Sequence, residues 1–223
     1  MELEEIKEYK KKCITFFVGI ILIICIWIFV YAIWEATGKK ISHRVLSKVL
    51  EVGALISGIC YVRMQKLKCE EIGLSKKNIG SVIVKNIIFS IIAIGIMVLI
   101  KAVLINSGFD IFDKDKPFWN WNVMSWARWI YPITVLVEEF IINGIGQESL
   151  DRIFEGGNNA YGTILILAIY FGAAHIHKGV GYMIGASVMC LILCIAYRKQ
   201  KTIWGISITH YLLGMAAKFL GYI

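Results

Sequence analysis

Four side chains stand out because they are ionisable and lie inside apolar runs. They are the adjacent pair Glu138 and Glu139 in WARWIYPITVLVEEFIING, His175 in AIYFGAAHIHKG, and His210 in IWGISITHYLLG. A charge at the centre of a membrane helix costs about 2.5–3.5 kcal/mol on insertion scales, so ionisable residues there mark functional sites by default. Helical spacing places Glu139 with Asn143, Phe171 with His175, and His210 with Gly214 on shared faces, four residues apart in each case. A carboxylate and two imidazoles from three helices could converge on one wet cavity. There the carboxylate could act as general base, aided by one imidazole, and activate a water. The second imidazole could donate a hydrogen bond to a developing oxyanion. Alternatively, Glu138, His175 and His210 could bind zinc and leave a fourth position open for water. Against both stands the plainer reading of polar side chains bonding between helices, or of acids serving a proton or cation path.

The elements that would position these groups are membrane helices. The chain of 223 residues is 58% hydrophobic with a mean hydropathy of +0.69, and its apolar residues fall in runs of bilayer length. These cover about 13–34, 49–64 (weaker, with Glu51), 81–105, 129–145, 160–175, 181–197 and 203–223. The expected fold is an all-α membrane protein, a polytopic bundle of about seven (six to eight) transmembrane helices in one domain over 1–223. The Ile- and Val-rich run at 81–105 is expected to be helical, because a lone strand cannot satisfy its backbone in lipid. The first run is too long for a signal-peptide core and has no small-residue cleavage site.

The net charge of +8 comes from Lys and Arg flanking the apolar runs, which reads as topology signal and headgroup contact rather than nucleic-acid binding. Basic clusters at Lys7–Lys12, Arg63–Lys77 and Arg198–Lys201 share one side if the N-terminus is cytoplasmic. The six cysteines have no metal-like spacing and read as reduced thiols packing as small apolar groups. The polar stretch 106–128 carries Trp119, Trp121 and Trp126, which suit an interfacial anchor or a lid over a substrate path. His177, followed by Lys178 and Gly179, reads as interfacial.

Other intramembrane protease chemistries fit less well. There is no HExxH. Asp110, Asp113, Asp115 and Asp151 all lie outside the apolar runs, and Ser187 has no GxSxG setting.

Taken in order, the polar motifs resemble those of the CAAX-prenyl-protease and bacteriocin-processing family of intramembrane proteases, known as CPBP or Abi. That family carries EExxxR, then FxxxH, then HxxxN or HxxxB. The counterparts here are Glu138-Glu139-Phe140-Ile141-Ile142-Asn143, Phe171-Gly172-Ala173-Ala174-His175, and His210-Tyr211-Leu212-Leu213-Gly214. TIWGIS before the last motif, and Ile72-Gly73-Leu74 before a basic turn, are also similar, so the resemblance covers a core of about 71–223. It implies an intramembrane endopeptidase in which Glu138 activates water with His175, and His210 stabilises the oxyanion or ligates a metal. Glu139 would position its neighbours. No cofactor is firmly implied; zinc is the one candidate. The substrate would be a hydrophobic or lipidated peptide, such as a bacteriocin-like precursor. The other partners would be membrane lipids, and the setting a multi-pass protein of the bacterial cytoplasmic membrane.

Two positions depart from the pattern. Asn143 stands for the motif Arg, so Glu139 lacks the cation that would keep it ionised and is expected to be neutral or bonded to the Asn143 amide. Gly214 stands for the last Asn and removes one oxyanion donor, a loss that can cost roughly 100- to 1000-fold in rate. These departures keep a second reading open, an immunity or scaffold protein that captures a membrane peptide without cutting it. A third, a proton-coupled carrier, has no repeat symmetry behind it.

Overall fold

The structure is a computed structural model, and it describes residues 3–38, 43–108, 117–121, 129–154, 160–176 and 179–222. These residues form helices and short turns, with no strand among them. The helices are α1 (Leu3–Ala36), α2 (His43–Met64), α3 (Ile79–Asn106), α4 (Tyr131–Glu139), α5 (Glu148–Ile153), α6 (Ala160–Ala174), α7 (Val180–Gln200) and α8 (Ile203–Phe219). A π-helical segment, Phe140–Gln147, joins α4 to α5 into one continuous rod. The run expected to end near 145 therefore continues to Ile153. Tyr131 opens the rod with Pro132 behind it, at a position where the missing proline N–H costs nothing.

Two helices, α3 and α7, are long and apolar enough to cross a bilayer, and only 11% and 28% of their most apolar windows are buried against protein. A core helix of a water-soluble protein would be mostly covered, so this exterior suits lipid. The distribution along α3 makes the same point. Asn86, Ser90 and Lys101 are buried, while Ile87, Ile88, Ile91 and Ile92 face outward. Polar side chains thus hold helices together in the interior, and apolar ones cover the outside.

That polar stripe sets the register of α8. Asn86 Nδ2 donates to Val82 O and to Gln200 Oε1, each at 2.8 Å, and Thr209 Oγ1 donates to Asn86 Oδ1 at 2.9 Å. Gly205 permits the approach, since a Cβ there would lie 2.3 Å from Asn86 Nδ2. With Thr209 turned to α3, the next residue, His210, is rotated by about 100° toward α4.

Helices α6 and α7 form an antiparallel pair. Ile164, Leu167, Ala168 and Phe171 pack on Ala186, Cys190 and Cys194. Gly172 lets the pair close, because a Cβ there would meet Ser187 Oγ at 1.9 Å. Ser187 is thereby a packing residue. Cys190 and Cys194 are free and buried as expected, whereas Cys25, Cys60 and Cys69 are free and exposed on the exterior.

A short 3₁₀ turn, Cys69–Ile72, wedges Ile72 against the π segment, where a Cβ at Gly144 would lie 2.6 Å from Ile72 O. Gly73 then turns the chain at φ 74° and accepts a hydrogen bond from Ile203 N–H at 2.9 Å. Ion pairs gather at this end of the bundle: Arg152–Glu71, Arg198–Asp151 and Lys201–Glu148. At the other end, Lys101 Nζ donates to Phe118 O and Leu220 O, both at 2.7 Å, and Trp119 and Trp121 pack on Phe219. Those two tryptophans tie the loop to the end of α8. Trp126 and His177 lie outside the described residues.

Candidate active site

The site is built where α4, the π segment, α6 and α8 meet. Glu138 and Glu139 close the regular part of the rod, and the wider π turns begin at once after them. Such segments occur often at functional sites, because they re-aim side chains within a helix. Here the π segment buries Ile142, Asn143, Ile145 and Gln147. The Asn143 amide remains within reach of Glu139 and donates to its Oε2.

The second oxygen of Glu139 meets His210. Nδ1 of the imidazole lies 2.7 Å from Glu139 Oε1, with both side chains only 3% exposed. Glu139 is filled as a double acceptor, which suits a carboxylate and assigns the Nδ1 proton to His210. The ring's other nitrogen, Nε2, stands 3.6 Å from Glu138 Oε2. That is too long for a hydrogen bond, yet a water or a reacting oxygen could touch both groups. Glu138 retains 19% side-chain exposure, so it is the more accessible of the two acids.

His175 follows the last residue of α6, and its N–H donates to Gly172 O at 2.8 Å. Its Nδ1 lies 2.7 Å from Phe171 O. A carbonyl only accepts, so Nδ1 carries a proton. The Phe171 ring joins the two imidazoles. It lies 4.5 Å from His175 and meets His210 edge-on at 5.8 Å, centroid to centroid. Tyr182 stacks on the outer side of His175 at 5.4 Å.

Glu138, Glu139, Asn143, Phe171, His175, His210 and Gly214 are all among the described residues, and the first six form one connected set. The Glu139–Asn143 bond is as expected. The Glu139–His210 bond goes beyond the sequence pattern, which implies only an oxyanion or metal role for His210. With the motif Arg absent, the imidazole takes its place beside Glu139. Tyr131 was also missed. Its ring meets His210 edge-on at 6.4 Å and Tyr211 at 5.7 Å, with Lys218 Nζ 4.7 Å above it. The spacing of seven between Tyr131 and Glu138, two turns on one face, is the signal that could have found it.

Among the described residues, no three His, Cys, Asp or Glu side chains gather closely enough to hold a metal ion. An apolar groove of about 350 Å³ runs beside the cluster, lined by Ile79, Ile83, Trp129, Pro132, Leu136, Trp204, Ser207, Ile208 and Tyr211.

The described residues thus form an all-helical bundle, with two helices long and apolar enough to cross a membrane and a carboxylate–imidazole–carboxylate array in which Glu139 and His210 are buried. Residues 119–216 match the family model described as type II CAAX prenyl endopeptidase Rce1-like, and over that segment the chain is similar to this family. The match contains all three motifs and begins later than the core boundary expected near residue 71. No curated protein and no solved structure matches the chain.

Proposed function

We propose that the protein is an intramembrane endopeptidase that hydrolyses a peptide bond in a membrane-associated or lipidated peptide. The observation that carries this reading is the line Glu138, His210, Glu139, with its 3.6 Å and 2.7 Å separations. Glu138 takes a proton from water, and the hydroxide adds to the scissile carbonyl carbon. Protonated at Nε2, His210 donates to the resulting oxyanion, with Glu139 holding its Nδ1–H and balancing the positive charge. Collapse of the tetrahedral intermediate breaks the C–N bond, and the proton on Glu138 passes to the leaving amine. Held by its Nδ1–H bond to Phe171 O, His175 orients the attacking water through Nε2. The groove along Trp129 and Tyr211 supports an apolar group on the substrate, a prenyl chain or a run of large side chains. In the bilayer, α1, α2, α3, the α4–α5 rod, α6, α7 and α8 serve as seven spans.

The test uses purified protein in detergent or liposomes and a farnesylated peptide ending in a CAAX sequence, beside an unlipidated hydrophobic peptide. Glu138→Gln is expected to lower kcat by about 100-fold or more, the scale of a lost general base. Cleavage that is equal in wild type and Glu138→Gln would overturn the reading and leave a protein that only captures its peptide.

A further inference from the structure

Gly214 occupies the position at which the motif supplies an amide donor, one helical turn after His210. A Cα–Cβ bond points toward the helix N-terminus, so a side chain at 214 would lean back over the turn that carries His210. That space is filled. A Cβ built on Gly214 would lie 2.1 Å from the Tyr131 hydroxyl oxygen and 3.1 Å from Cζ. The phenol arrives from the first residue of α4, on the same face as Glu138 two turns later, and lies within Coulombic reach of both Glu138 and Glu139. A phenol carries one O–H that can donate to an incoming oxygen. Gly214 and Tyr131 are therefore complementary: the absence of a side chain on α8 is what admits the hydroxyl from α4.

We propose that Tyr131 supplies the second oxyanion donor of this site, its hydroxyl standing where the motif places an amide. The assignment rests on the endopeptidase reading above. A phenol suits the task, since it donates one O–H and is neutral at ordinary pH. In the reaction the carbonyl oxygen gains negative charge as hydroxide adds. It then accepts from Tyr131 O–H and His210 Nε2–H without any change in covalent bonding at the tyrosine.

The experiment compares wild type, Glu138→Gln, Tyr131→Phe, Tyr131→Ala, Gly214→Asn and Tyr131→Ala/Gly214→Asn on the farnesylated CAAX peptide, with thermal unfolding in detergent as the folding control. Tyr131→Phe keeps the ring and removes only the donor. It is expected to lower kcat about 100-fold, as for other single oxyanion donors, with KM changed by less than about 3-fold. Gly214→Asn alone displaces the phenol and loses activity. The double variant, in which the amide has room, is expected to recover at least about 10-fold over Tyr131→Ala. A purely packing role for Tyr131 would shift the unfolding midpoint and leave kcat in Tyr131→Phe intact. If Glu138→Gln is inactive while Tyr131→Phe keeps full kcat, the tyrosine assignment fails and the endopeptidase reading stands. If wild type and Glu138→Gln behave alike, both fall.

Discussion

At the scale of single residues, the acid that carries least solvent is the one that organises the site. Glu139 accepts from Asn143 on one oxygen and from His210 on the other, and so fixes both the tautomer and the tilt of the imidazole, as a buried carboxylate does in hydrolytic triads. Glu139→Gln leaves one acceptor for two donors. Either Asn143 loses its partner, or the imidazole moves its proton to Nε2 and loses the balancing charge. Steady-state kinetics on the cleaved peptide should show kcat reduced by about 100-fold with KM little changed. An unchanged kcat would remove Glu139 from the mechanism. The four ionisable residues were legible in the sequence because a charge in an apolar run is costly and therefore conspicuous. Their pairing was not. Which nitrogen of His210 meets which acid depends on the rotation of α8, and that is set by Asn86 and Thr209 on a different pair of faces. Tyr131 was hidden for a related reason: a tyrosine near the start of a membrane helix has an ordinary role as an interfacial anchor.

At the scale of elements, helix positions followed hydropathy closely. The bounds of α3, α6 and α7 fall within a few residues of the apolar runs. The π segment did not, since widening by one residue per turn leaves no trace in apolar periodicity as short as FIINGIGQ. Lys101 is a second feature that hydropathy hides. It is 4% exposed and donates to Phe118 O and Leu220 O, closing the last turn of α8. A cation at a helix C-terminus is favourable, and charge-assisted bonds of this kind contribute about 1.5–3 kcal/mol. Lys101→Met should destabilise the folded protein by about 2 kcal/mol, read as a lower unfolding midpoint in detergent. Equal midpoints would show that the two carbonyls are satisfied without it. At the opposite end, the Lys68 backbone N–H and the Arg152 guanidinium hold the Glu71 carboxyl below its ordinary range. A depressed folded-state value contributes stability above the unfolded value of about 4.5, and that contribution disappears as pH falls through the folded value. The unfolding midpoint of Glu71→Gln should therefore differ from wild type at pH 7 and converge on it in acid; parallel curves would sink the assignment.

At the scale of the whole molecule, the site sits off-centre. Tyr131 begins α4, His175 follows α6, Tyr182 is near the start of α7, and Lys218 near the end of α8. All four belong to the end that also holds Lys101 and the Trp119–Trp121–Phe219 cluster. The far end carries Arg63, Lys66, Lys68, Lys76, Lys77, Arg152, Arg198, Lys199 and Lys201. Lys and Arg concentrate on the cytoplasmic side of membrane proteins, so the basic end should face the cytoplasm and the tryptophan end the outside. Single cysteines at Trp121 and Lys199, both exposed, would test this in a background with the native cysteines replaced. A membrane-impermeant maleimide should label position 121 in intact cells and position 199 only after permeabilisation. That outcome places the Glu138 cluster in the outer half of the bilayer, where an exported hydrophobic peptide arrives and a lipidated cytoplasmic protein does not. The reverse labelling would turn the cluster toward the cytoplasm and make the lipidated C-terminus the substrate to pursue.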